Sequence, residues 1–215
     1  MTLSFPTTEA WQPLPDHDWN AAAAGHLLRR TGWTARPDEI DRAVHDGLAA
    51  TLDRLFPADP VLQPKPRTIV RLEEDGPKLI RAAQQMTGDD KIRAQRESQE
   101  RARLALQDLS IKWLQMAAQP ENAAMSKWVL FLSDVYVVSA DKVKSAALIY
   151  DHFDLLARHA LGPAPALSKA VSRSPAMVIY LDLNQNQRRA PNENFARELL
   201  ELFVLGEGNY TEKDI

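Results

Sequence analysis

The chain contains no cysteine among its 215 residues. That excludes disulfides, thiolate catalysis, zinc sites built on Cys and iron–sulfur clusters. It also leaves the redox compartment unread. Glycine is sparse, with 8 residues, and no segment recurs at a fixed period. No Lys or Arg precedes Arg29, and Pro6, Pro13 and Pro15 interrupt the opening stretch MTLSFPTTEAWQPLPDHDWN. A secretory leader needs a basic start followed by an apolar run. None is expected here, so a cytoplasmic chain is the default. The most apolar stretch, Trp128 to Val138, is broken by Ser133 and Asp134. It falls far short of the roughly 20 residues that span a bilayer, and no membrane span is expected. Charge of one sign is missing too: 26 Lys and Arg stand against 29 Asp and Glu, net −3. The one local basic excess, over residues 61–112, is interleaved with acids and reads as solvated helix surface.

What is present is helical patterning. Residues 1–17 read as an extended lead-in that Trp11 and Trp19 pin to the body. Residues 18–56 read as an N-terminal helical hairpin unit. Asp18 is placed to cap a helix to about Arg30, with Leu27 and Leu28 as its buried edge. A second helix starts near Thr34 and Pro37, with Asp38 and Glu39 at its positive end. Gly47 punctuates it, and LAATLDRLF forms a third. Residues 57–68, PADPVLQPKPRT, hold four prolines and read as a linker or strap.

Residues 69–215 form the main helical core. Gly76–Pro77 is expected to break the chain before a short helix, LIRAAQQM. Asp89–Asp90 then caps a long helix to about Ala118, polar all round at first and amphipathic only from Leu104 onward. Its first half should project into solvent or pack on a further element. Further helices are expected over 121–138, 142–160 and 166–171, then after Ser174–Pro175, and from Asn192 through ENFARELLELFVL. No strand pattern with hairpin turns occurs. The expectation is an all-α, multi-helix irregular bundle.

Candidate chemistry lies on the last helix. Glu193, Arg197 and Glu201 fall at i, i+4, i+8, with Asn194 and Glu198 on the adjacent ridge. One reading is a ladder of ion pairs, each worth roughly 0.3–0.5 kcal/mol. Another is a buried Arg197 clamped between glutamates. A third is a carboxylate site in which Glu198 and Glu201 act with His159 or His152, which are seven residues apart on one helix face. Two carboxylates without a helical E-x-x-H partner make a weak metal ligand set. No metal and no cofactor are therefore expected, with Glu198 and Glu201 the candidates should a metal bind. Against the catalytic reading, a His near a helix end commonly satisfies a carbonyl or the helix dipole. His26, Arg29 and Arg30 share a helix; an anion site there competes with Arg stacking over Trp33. Helices 20–30 and 37–46 resemble a helix-turn-helix pair, but the second is acidic, so nucleic acid is not an expected partner. No G-x-S-x-G, P-loop, dinucleotide fingerprint or H-E-x-x-H occurs.

Three stretches together resemble one bacterial family: WNAAAAGHLLRRTGWTARPDEIDRAVHDGLAATLDRLF, KWVLFLSDVYVVSADKV, and RHALG through SPAMVIYLDLNQNQRRAPNENFARELLELFVLGEGNYTEKDI. That family is catalogued as domain of unknown function 1800. The resemblance implies an all-helical protein of unestablished activity whose members often look exported. Members are usually longer, so the resemblance implies an N-terminal portion or a short form. It also implies a departure: family members read like K-x-x-L-F-W-H-N-H-F from the position of Lys127, and the two His positions fall here on Ser133 and Val135. Imidazoles two apart can ligate a metal or carry protons; Val cannot. The reading that follows is a non-catalytic interaction or scaffold domain with a protein partner. The alternative is a metal-assisted hydrolase using Glu198, Glu201 and a His.

Overall fold

The computed structural model describes residues 12–60, 63–187, 193–211 and 213–214. The described residues form ten α-helices and no β-strand element, an all-α multi-helix fold. The chain divides into two compact units, Met1–Ala58 and Asp59–Ile215.

In the first unit, α1 (Ala21–Thr31) packs on α2 (Pro37–Leu55). Asn20, not Asp18, caps α1. Its Oδ1 accepts the Ala22 and Ala23 amides at 2.9 and 3.2 Å, while Asp18 belongs to a preceding 3-10 turn. The short Asn side chain reaches the first orphan amides from the adjacent position. Pro37 opens α2, and Glu39 reaches back to accept the Arg36 amide at 3.0 Å. Gly47, at φ 81°, interrupts α2 as the sequence suggests. Buried Gly25 lets the two helices close. A Cβ there would stand 3.3 Å from Ile40 Cδ1 and 3.0 Å from the Arg29 guanidinium. The Ala43 carbonyl accepts from Trp19 Nε1 (3.0 Å) and from the buried Thr51 hydroxyl (3.3 Å), which ties the residue before the Asn20 cap to the helix pair; Trp11 lies outside the described residues.

The second unit begins with the pinned end of the proline strap. Tyr150 donates its hydroxyl to the Gln63 carbonyl at 2.7 Å, and Gln63 Nε2 donates to the Leu109 carbonyl at 3.3 Å. Lys65 bridges Glu73 (2.8 Å) and Asp151 (3.1 Å), carboxylates that raise its pKa. From buried Pro66 onward the chain is helical: α3 spans Arg67–Gln85 without a break at Gly76–Pro77. This corrects the expected interruption. Gly76 has no Cβ for the Pro77 ring to meet, which relieves part of the clash that disfavours helix before proline. Pro77 still forfeits the amide bond to Glu73. The long α4 (Gly88–Ala117) returns beside α3 and is roughly 45 Å long at 1.5 Å per residue.

The expected helix 121–138 is shorter, α5 (Ala123–Val135). The expected helix 142–160 is two helices, α6 (Ala140–Val143) and α7 (Ala146–His159). Lys144 between them is left-handed, φ 54°, and the Ser145 hydroxyl accepts the Leu148 amide to restart the helix. Two short helices follow, α8 (Ala164–Ser172) and α9 (Pro175–Tyr180). α10 (Glu193–Glu198) runs into a π-helical turn over Leu199–Val204, in which Leu205 donates to the Leu200 carbonyl at 2.7 Å. Ile69, Ala105, Leu109, Val143, Ala146, Ile149 and Ala176 form a core between α3, α4, α6, α7 and α9. No described helix is long and apolar enough to cross a membrane.

Candidate functional site

His152 sits in the middle of α7 and is 1% exposed. Its Nε2 lies 2.9 Å from the Tyr136 carbonyl and its Nδ1 3.4 Å from Ser174 Oγ. A carbonyl only accepts, so Nε2 carries the proton and Nδ1 accepts the Ser174 hydroxyl. Ser174 Oγ in turn accepts the Met177 amide at 3.2 Å, as the cap of α9. Tyr136 follows the end of α5, where helix carbonyls lack helical partners. One imidazole thus joins the C-terminus of α5 to the N-terminus of α9. Burial lowers the His152 pKa, against a smaller raising by the Tyr136 carbonyl. Its surroundings favour the neutral ring.

The Tyr136 side chain extends this node. Its hydroxyl and Ser168 Oγ on α8 share a hydrogen bond of 2.7 Å. Its ring meets Phe203 of the π-helical turn at 5.9 Å. The last helix therefore approaches this region through an aromatic contact. Glu201 is half-buried, and its Oε2 accepts the Tyr210 hydroxyl at 2.8 Å. Gly206 and Gly208, at φ 80° and 81°, turn the chain back so that Tyr210 reaches it. Glu198 and Arg197 are half-buried, and Glu193 is exposed. Asn192 and the Asn194 side chain lie outside the described residues.

His159 is half-buried at the C-terminal end of α7, and its carbonyl accepts the Gly162 amide at 3.0 Å. Arg29 and Arg30 are exposed on α1. Ser133 is half-buried on α5 and donates its hydroxyl to the Leu130 carbonyl at 2.7 Å; Val135 is half-buried beside it. Among the described residues, no three His, Asp or Glu side chains stand close enough to hold one metal ion.

A second feature was not singled out from sequence. A groove of about 730 Å³ runs between α3, the first half of α4 and the Lys144–Ala147 junction. Leu79, Ile80 and Met86 line it and are exposed, Ile80 by 61%. Over residues 88–101 of α4 only Ala94 is half-buried. The signal was present as Leu72, Leu79, Ala83 and Met86, spaced along one helical face. Reading Gly76–Pro77 as a break cut that face in two.

A family model described as "Protein of unknown function (DUF1800)" matches residues 26–215. The chain belongs to the DUF1800 family. No curated protein and no solved structure matches this DUF1800 chain.

Proposed function

We propose that this DUF1800 chain is a non-catalytic interaction domain that holds a helical segment of a partner protein in the groove beside α3 and α4. The supporting observation is the groove itself, with Leu79, Ile80 and Met86 exposed along it. Over residues 74–101, the projecting ends of α3 and α4, only Gly76, Ala83 and Ala94 are not exposed, so this projection buries little apolar area of its own, while most helical stability in proteins comes from packing an apolar face. A helix laid along the groove supplies that packing. The candidate His152 is consistent with a structural role, because both ring nitrogens serve helix ends.

The test uses labelled amphipathic helical peptides of either charge sign, read by fluorescence anisotropy against the full chain. The expected result is saturable binding that the double variant Ile80→Ser, Met86→Ser weakens about tenfold or more, with helicity unchanged by circular dichroism. Binding indifferent to that variant contradicts the proposal. So does a hydrolytic turnover of the wild-type chain that Glu198→Gln abolishes.

A further inference from the structure

The charges around the groove are unevenly paired. Glu73 is bridged to Lys65 at 2.8 Å, and Glu97 faces Arg101 at 3.7 Å. Each acidic residue lining the groove therefore has a basic partner. Lys91 on α4 and Lys144 at the left-handed junction line it as well, are exposed, and have no ion-pair partner among the described residues. They approach the groove from different elements, with the apolar Leu79, Ile80 and Met86 between the same walls. Ala83, Ala94 and Ser98 line it too, with the neutral Gln84 and Gln95 and the Glu97-paired Arg101.

We infer that the partner segment is an amphipathic α-helix whose apolar face is flanked by Glu or Asp, which Lys91 and Lys144 meet. This rests on the proposed groove reading and adds the partner's chemistry to it. The apolar contact supplies affinity, while two unpaired ammonium groups discriminate by charge. A lysine-flanked helix would place like charges against them. Left-handed Lys144 is held at the rim by the α6–α7 break, because the Ser145 cap fixes the start of α7.

The probe is a fluorescein-labelled peptide of about 18 residues, roughly 27 Å as a helix, with Leu and Ala on one face flanked by Glu. Its counterpart carries Lys at the flanking positions. The full chain is expected to bind the Glu peptide about tenfold more tightly than the Lys peptide at low salt. The double variant Lys91→Glu, Lys144→Glu should reverse that order. Ser98→Trp, at an exposed position that lines the groove, should weaken both peptides alike. Equal affinity for the two peptides, both lost with Ser98→Trp, overturns the acidic-partner inference and leaves the groove reading standing. Absence of saturable binding by either peptide, or binding untouched by Ser98→Trp, overturns both. The milder pair Lys91→Gln, Lys144→Gln must equalise the two peptides even if the charge-reversed chain is poorly folded; retained preference there also contradicts the inference.

Discussion

The His152 node and the α3–α4 projection use polar and apolar groups in opposite directions. At the node, a titratable side chain lies in the interior, and each of its nitrogens meets a helix terminus. At the projection, Leu79, Ile80, Met86 and Ile92 are exposed along a pair of helices whose polar residues face water. A polar group buried with its partners specifies how helices are joined. Apolar groups left outside add little by burial within the chain, and their gathering along one groove is the ground of the proposed binding role. The contrast also separates two meanings of a conspicuous residue: a His in a helical core can be entirely about architecture.

The largest break in the comparison is His152→Ala. It leaves the Tyr136 carbonyl and Ser174 hydroxyl without their partner and opens a cavity in the core, so urea unfolding should show a loss of about 3 kcal/mol. Ile80→Ser on the projection should cost about 0.5 kcal/mol or less, since the side chain is already exposed. Comparable losses at the two positions would erase the distinction.

The node should also carry a pH signature. Its pKa is lowered in the folded chain from an ordinary value of 6.5. The unfolded chain therefore takes up a proton that the folded chain refuses. Stability is complete above pH 6.5 and is lost as pH falls through that value toward the lower folded one. Below the folded value the slope vanishes. Thermal unfolding between pH 7.5 and 5 should show this slope in the wild type and lose it in His152→Gln. The lowered carboxylates Asp46, Asp108 and Glu100 start from 3.8 or 4.5, so they act at lower pH and in both proteins.

A smaller change sharpens the account of the interior. Among the described residues, Ser126 Oγ is buried without a hydrogen-bond partner. Ser126→Ala removes that unmet group and should stabilise by about 1 kcal/mol in urea unfolding. The smallest effect belongs to the surface ion pairs. Arg103 and Glu100 meet at 2.6 Å but are both more than half exposed. Arg103→Ala should change stability by less than about 0.5 kcal/mol, and a larger loss would show that the projection is stabilised from within.

The helical character of the chain was legible in capping residues and apolar spacing, as Pro37, Ser174 and Gly47 illustrate. Local rules erred where a neighbour changed their cost. Gly76 relieves the clash that makes Pro77 a breaker, and a continuous α3 follows. Lys144 adopts a left-handed conformation without the usual glycine, so the division of α6 from α7 carried no composition signal. The partners of His152 were not readable because Tyr136 and Ser174 lie 16 and 22 residues away and converge only through packing. The pairing of Glu201 with Tyr210 depends likewise on the turn at Gly206 and Gly208. The groove was half legible: its α3 face is periodic in sequence, but Lys91 and Lys144 are joined to it only by the fold.

Hydrogen exchange of the full chain, free and saturated with the Glu-flanked peptide, tests the central contrast most directly. Amides of α7 and α9 around His152 and Ser174 should already be among the slowest, while residues 78–98 exchange fast when free and slow down on binding. Protection gained around His152 and Ser174, with residues 78–98 unchanged, would place the binding function in the node and contradict the account.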